Sequence, residues 1–333
     1  MSKNEAKAKR EQVSMRHIWE ARKRISSIIQ KTPLIKSTIL SEHAGSPVYL
    51  KLENVHEIGA FKVRGAANKI LSLTPEEQKK GVTTFSTGNH GLAVAYVANQ
   101  LGIKAIICIS ERVPKVKVDA IKRLGAQVII EGHGQDDAEN NCYRLQKEKG
   151  LTVIKPFDDL NVIAGQGTIG LEILEDLPNV NTVVVPLSGG GLLSGIGLAL
   201  KVNEPMIQVK GVTMERSSVM YESLKAGRPV VIEEEDTLAD SLLGGIGLDN
   251  QFTFQLVQQY MDDLFLISEE AIAEAMVYML EKQRMVVEGA AATGVAAILQ
   301  KKVLKQDGNI VVVISGSNVD LSLVMQLLHK IKV

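Results

Sequence analysis

Short β-branched runs recur along this chain at residues 83–85, 105–109, 127–130, 182–185, 208–212 and 310–314, with helical patterns between them. Strands separated by helices and short loops do not pair as hairpins. They lie side by side in a parallel sheet wound by right-handed crossovers. Helical stretches at 91–101 and 116–124, directly after the first two runs, show the alternation. A chain of 333 residues suggests two cores rather than one. The expected fold is therefore α/β: two domains, each with a mainly parallel twisted sheet flanked by helices. A small domain over 51–152 is expected to be inserted in a larger one made of 15–50 and 153–333, behind a flexible leading segment 1–14. The loop Pro156-Phe157-Asp158-Asp159 marks the return into the larger domain.

Charge narrows the function. The chain carries 38 basic and 38 acidic residues, so it has no broad positive field for nucleic acid or anionic lipid. Its longest apolar runs, such as 182–187 and 310–314, have the length of strands and not of membrane spans. Residues 3–24 mix Lys, Arg and Glu and lack the apolar core of an export signal, which predicts a cytoplasmic protein. The two cysteines, Cys108 and Cys142, make no disulfide framework and sit in no close metal-ligand cluster. The acidic run Glu233-Glu234-Glu235-Asp236 reads as a solvated loop, and no metal site is expected.

Four segments carry chemistry. In Ala60-Phe61-Lys62-Val63-Arg64-Gly65-Ala66 a turn opens a helix with a lysine beside an aromatic ring. Partial burial and a helix N-terminus lower an ammonium pKa, which suits a lysine to form a Schiff base with an aldehyde cofactor. Read alone, Lys62 is first a surface lysine at a helix start, and the segments that follow reverse that reading. Ser188-Gly189-Gly190-Gly191-Leu192 joins a strand to a helix, where successive N–H groups and the helix dipole favour a phosphate. Gly189, Gly191 and Gly195, with Glu215 after the next strand, also fit a loose dinucleotide fingerprint, and a plain tight turn stays open.

Ser86-Thr87-Gly88-Asn89-His90 offers hydroxyl, amide and N–H donors to a carboxylate and a phenolic oxygen. His90, at a helix start, reads as a structural hydrogen-bonder rather than a general base. Ser315 closes the strand 310–314, on the side of a parallel sheet that faces the ligand crevice; it is placed either to meet a ring nitrogen or to cap the last helix.

These segments, in this order, resemble the tryptophan synthase β-type (fold type II) pyridoxal-phosphate enzymes, in the serine/threonine dehydratase and serine racemase branch. The likeness runs from Thr32 to Leu321 and includes Asn161-Val162-Ile163-Ala164-Gly165-Gln166-Gly167-Thr168. The resemblance implies pyridoxal 5'-phosphate in the cleft between the domains. Lys62 would carry it, Phe61 lie against its ring and Asn89 bond its ring hydroxyl. By the same resemblance Ser188, Gly189, Gly190, Gly191 and Leu192 bind the phosphate, with Asn161 on that side. Ser315 meets the pyridine nitrogen, and Ser86, Thr87, Gly88, Asn89 and His90 receive the substrate carboxylate. The branch is usually dimeric, so a homodimer is expected.

A serine opposite the ring nitrogen weakens the electron sink and favours prompt β-elimination. The expected reaction is loss of water from a β-hydroxy amino acid of the L-threonine or L-serine type, yielding a 2-oxo acid and ammonia, with Lys62 and Thr87 as catalytic residues. Racemases of the family have serine at the position of Thr87. The family's divalent-metal site is incomplete beyond Glu215, since the expected second carboxylate is replaced by Val219-Met220-Tyr221. The stretch Leu238-Ala239-Asp240-Ser241-Leu242 and the segment Val286-Val287-Glu288-Gly289-Ala290-Ala291 resemble dehydratases assigned to hydroxyectoine utilisation. A hydroxyectoine-derived or 3-hydroxyaspartate-type substrate is therefore the alternative.

Overall fold

The computed structural model describes residues 12–86, 88–111, 113, 115–133, 135–303 and 308–332. Thr87 and most of the leading segment 1–14 lie outside the described residues. The strands are β1 (Leu34–Ser37), β2 (Val48–Leu52), β3 (Val82–Thr84), β4 (Ala105–Ile109), β5 (Gln127–Ile130), β6 (Thr152–Val153), β7 (Val180–Pro186), β8 (Gln208–Met214), β9 (Asp263–Ile267) and β10 (Asn309–Ile314). They form a six-stranded sheet in the order β1-β2-β10-β7-β8-β9 and a four-stranded sheet in the order β5-β4-β3-β6. Every pairing is parallel except β1 with β2. Residues 51 and 52 belong to β2 of the larger sheet, and β6 carries the smaller sheet to Val153.

Central strands read as unbroken apolar runs because helices cover both faces of a parallel sheet. In β10 the alternation is visible in the packing: Ile310, Val312 and Ile314 enter one core, while Val311 and Val313 enter another on the opposite face. Val312 sits in register between Leu50 of β2 and Val184 of β7. Strands β1, β2, β6 and β9, absent from the sequence expectation, are short or interrupted by charge, as with Lys36 in β1 and Asp263 in β9.

Three helices, Lys62–Leu71, Leu160–Asp176 and Gly191–Asn203, stack with the second in the middle. Both contacts bring backbones together. A Cβ on Gly165 would lie 2.6 Å from the carbonyl oxygen of Arg64, and one on Gly195 would lie 2.6 Å from the amide nitrogen of Gly167.

Below the first of these contacts lies a buried ionic set. The Arg64 guanidinium donates to both oxygens of Glu53 (2.7 and 2.9 Å) and to both oxygens of Glu172 (2.6 and 2.9 Å). Lys51 donates to Glu172 at 2.6 Å and to the carbonyl of Thr32 at 2.7 Å. Two cations thus face two carboxylates, the condition under which buried charge is tolerated. The Arg64 charge holds the Glu53 carboxyl well below the ordinary carboxylate range despite its burial. Arg64 stands two residues after Lys62, so this set also anchors the start of the lysine helix.

Candidate active site

The C-terminal ends of β7 and β10 and the lysine turn meet at a cavity of about 990 Å³ between the two sheets. Its wall includes Lys62, Asn89, Ser188, Glu288 and Ser315. A short antiparallel contact fixes two of them relative to each other. Ala60 bridges Gly316, the Phe61 amide donates to the Ser315 carbonyl at 3.0 Å, and the Ser317 amide donates to the Gly59 carbonyl at 2.9 Å. Residues far apart in sequence are thereby stitched together by backbone.

Lys62 is the first residue of its helix, after Phe61 at the cap position. Its Nζ donates to the Pro156 carbonyl at 2.9 Å and lies 5.2 Å from the centre of the Phe61 ring. Burial of the amine pulls its pKa down to about 8, against the opposing attraction of Glu288. The group is therefore far richer in its neutral, nucleophilic form at neutral pH than an ordinary lysine.

Ser188 and the three glycines after it form the turn from β7 into the helix Gly191–Asn203. Gly190 adopts the left-handed conformation, with φ of 87°, which glycine reaches without steric cost. The free N–H groups of a thirteen-residue helix start here, and the loop lines the cavity. Such a cluster of donors fits a phosphate.

On the opposite wall, Asn89 and His90 begin the helix Asn89–Gln100. Asn89 Nδ2 donates to both oxygens of Glu288 at 3.0 Å, and Asn318 Nδ2 donates to Asn89 Oδ1 at 2.6 Å. Only 2 % of the Glu288 surface is exposed, and burial pushes its carboxyl up to about 7. His90 contacts the Ile154 carbonyl at 2.9 Å. A carbonyl only accepts, so Nε2 carries the proton. Burial, with the Lys62 charge added, lowers the imidazole to about 3 and keeps it neutral. His90 is thus held as a hydrogen-bond donor, in line with the structural reading.

Ser86, Gly88 and Ser315 also line the cavity, as do Gly189, Gly190, Gly191 and Leu192. Asn161 stands apart. It occupies the first turn of the helix Leu160–Asp176, where its amide donates to Asp159 Oδ1 at 2.8 Å and its carbonyl accepts from Asn68 at 2.7 Å. Among the described residues no group of three or more His, Cys, Asp or Glu is placed to hold a metal ion. Sequence reasoning missed Glu288 and Asn318. For Glu288 a signal existed: it is the only charged residue between Met285 and Gln300. A lone charge in so apolar a stretch is kept for a buried partner.

The family of pyridoxal-phosphate dependent enzymes matches residues 25–316. This chain belongs to that family. The cofactor of that family is pyridoxal phosphate, and the donors of the glycine loop fit its phosphate. An L-threonine ammonia-lyase of Thermotoga maritima is 42% identical over 318 residues, covering 96% of this chain and 79% of the relative. A catabolic L-threonine dehydratase of Staphylococcus aureus is 43% identical over 314 residues, covering 93% and 90%. Among solved structures, maize serine racemase superposes with a TM-score of 0.90 at 34% identity, covering 97% of this chain and 98% of that one. The α/β architecture is that of the family. Its cofactor chemistry requires a lysine amine, a phosphate cradle and a partner for the ring nitrogen. Lys62, the loop that starts the helix Gly191–Asn203, and the buried Ser315 stand around one cavity and fit those requirements.

Proposed function

We propose that this chain is an ammonia-lyase that removes water from a β-hydroxy amino acid, with L-threonine and L-serine as its substrates, to give a 2-oxo acid and ammonia. The observation that carries this reading is the lysine amine with its lowered pKa in the wall of the cavity shared by the glycine loop and Ser315. The 42% identity to a threonine ammonia-lyase along 96% of the chain supports it. Pyridoxal phosphate held on Lys62 supplies the electron withdrawal that makes a substrate α-proton acidic and lets a β-hydroxyl depart.

The chain's own residues do the rest. The backbone donors of 188–192 would hold the phosphate, Phe61 would lie against the ring, and Asn89 would donate to the ring hydroxyl. Ser86, Gly88, Asn89 and His90, with Thr87 by its place in the motif, would bind the substrate carboxylate. Lys62, as a free amine, would take the α-proton as general base. Ser315 offers the ring nitrogen a neutral hydroxyl, which leaves that nitrogen largely unprotonated and commits the reaction to elimination. Thr87, a threonine where racemases of the family have serine, would disfavour racemisation, since its methyl group restricts the hydroxyl's rotamers.

A longer β-hydroxy amino acid, such as 3-hydroxyaspartate or one derived from hydroxyectoine, is the second reading. Its support is the segment Asp240-Ser241-Leu242-Leu243-Gly244-Gly245, which lines the cavity. We read the enzyme as a cytoplasmic homodimer; no described helix is long and apolar enough to cross a membrane. The test is absorption spectroscopy of the purified protein, followed by 2-oxo acid detection with L-threonine, L-serine, 3-hydroxyaspartate and a hydroxyectoine-derived amino acid. Turnover of the first two supports the reading. Their inertness beside a turned-over third or fourth substrate establishes the alternative.

A further inference from the structure

An asparagine side chain has a donor end and an acceptor end of nearly the same shape, and turning the amide over exchanges them. Only neighbours decide which end points where. In the function proposed above Asn89 faces a phenolic oxygen of the cofactor, a group that as a phenolate can only accept. A turned-over Asn89 would present an oxygen to an oxygen.

The neighbours of Asn89 leave it no choice. At one end, both oxygens of the Glu288 carboxylate stand 3.0 Å from Nδ2. At the other, Asn318 Nδ2 donates to Oδ1 at 2.6 Å. Asn318 is itself fixed, because the same Nδ2 donates to the Ile58 carbonyl at 2.8 Å, and a backbone carbonyl cannot reverse its role. The circuit closes through the Asn318 amide, which donates to Glu288 Oε2 at 3.2 Å. Gly316 makes room for it: a Cβ there would lie 2.8 Å from Glu288 Oε1. One hydrogen of Asn89 Nδ2 goes to Glu288, which leaves the second for the cofactor.

We propose that Glu288 and Asn318 are positioning residues that lock the Asn89 amide with its donor toward the cofactor's phenolic oxygen. The proposal rests on the reading of Lys62 as the cofactor-bearing lysine and adds the residues that set the electronic state of the bound cofactor. Neither Glu288 nor Asn318 needs to touch the reacting atoms. Both act through Asn89.

The test compares Asn318→Asp with Asn318→Ala in protein loaded with pyridoxal phosphate. Asn318 is exposed, so both variants leave the core intact. Aspartate keeps the size of asparagine and reverses the polarity at Asn89 Oδ1; alanine removes the contact. The readouts are the ratio of the two absorption bands of the lysine-bound cofactor, which reports the proton between phenolic oxygen and lysine nitrogen, and cofactor retention on dialysis. A polarity lock makes aspartate the more damaging change, with about tenfold weaker retention, equivalent to about 1.4 kcal/mol, and an altered band ratio. Equal effects, or a larger effect of alanine, would mean that Asn318 only packs.

A double variant, Asn318→Asp with Glu288→Gln, reverses the polarity at one end and offers a donor at the other, which favours the turned-over amide. The lock requires its band ratio to stay altered; a return to the wild-type ratio overturns the proposal. Wild-type protein that takes up no pyridoxal phosphate would overturn the functional reading and the lock with it. A loaded wild type with indistinguishable variants would overturn the lock alone.

Discussion

Lys62 Nζ donates to the carbonyl oxygen of Pro156 at 2.9 Å, and the next residue, Phe157, lies against the glycine loop, where a Cβ on Gly191 would come within 3.0 Å of its Cβ. One short segment therefore touches both the lysine and the phosphate cradle. Because the amine is held in place with a pKa near 8, its reaction with free pyridoxal phosphate should accelerate as pH rises through about 8 and then level off. At neutral pH about one amine in ten is already unprotonated, against fewer than about one in a thousand for an ordinary lysine. Stopped-flow absorption of cofactor-free protein across this range checks it. A rate still climbing well above pH 8 would show that burial does not depress this amine. In the same assay Lys62→Ala should give no visible cofactor band and no turnover, with an unchanged circular dichroism spectrum.

Ser315→Asp should move the product ratio from elimination toward racemisation or transamination. A carboxylate at this buried position would hold a proton on the ring nitrogen and strengthen electron withdrawal. The ratio is measured at equal cofactor occupancy. If it does not change, Ser315 serves only the backbone contact with Phe61.

Arg64→Met should destabilise the protein by about 3–5 kcal/mol, because it leaves Glu53 and Glu172 buried together without the guanidinium that bonds both. Urea unfolding of the cofactor-free protein measures this. Restoring Glu53→Gln in the same chain should recover part of the loss, since one uncompensated charge is then removed.

Elimination should exceed racemisation by at least about tenfold, roughly 1.4 kcal/mol between competing transition states, and should need no divalent metal. Rates with L-serine in the presence of chelator, and again with added magnesium, give the comparison. Efficient formation of D-serine, or activity lost on chelation and regained with magnesium, would contradict it.

Much of the frame is legible because its central strands, such as β4 and β10, are buried on both faces. Residues 105–109 and 127–130 were bounded as β4 and β5 turned out to be, since β-branched runs between helices have few other fates. The helix after β4 was placed at 116–124 and runs Lys115–Arg123. Of the edge strands, β1, β6 and β9 are not legible, whereas β5 is. In β9, Asp263 faces Lys210 across the sheet at 2.8 Å, a pairing that only the folded edge reveals. For the site, the rule that ligands sit beyond the C-terminal ends of parallel strands led to the 188–192 loop and to Ser315, both on the cavity wall. Glu288 escaped because its partner Asn89 is 199 residues away, and no local pattern ties a helix start to an amide so distant in sequence.

The central helix Leu160–Asp176 acts as a gauge block. The helix that starts at Lys62 rests on one side of it at Gly165, and the helix that starts at the phosphate loop rests on the other near Gly167. Each contact is backbone against backbone, so no rotamer can absorb an error. The span between the amine and the phosphate cradle is machined into the main chain, and a single methyl group at Gly165 would mis-set it without touching the cofactor.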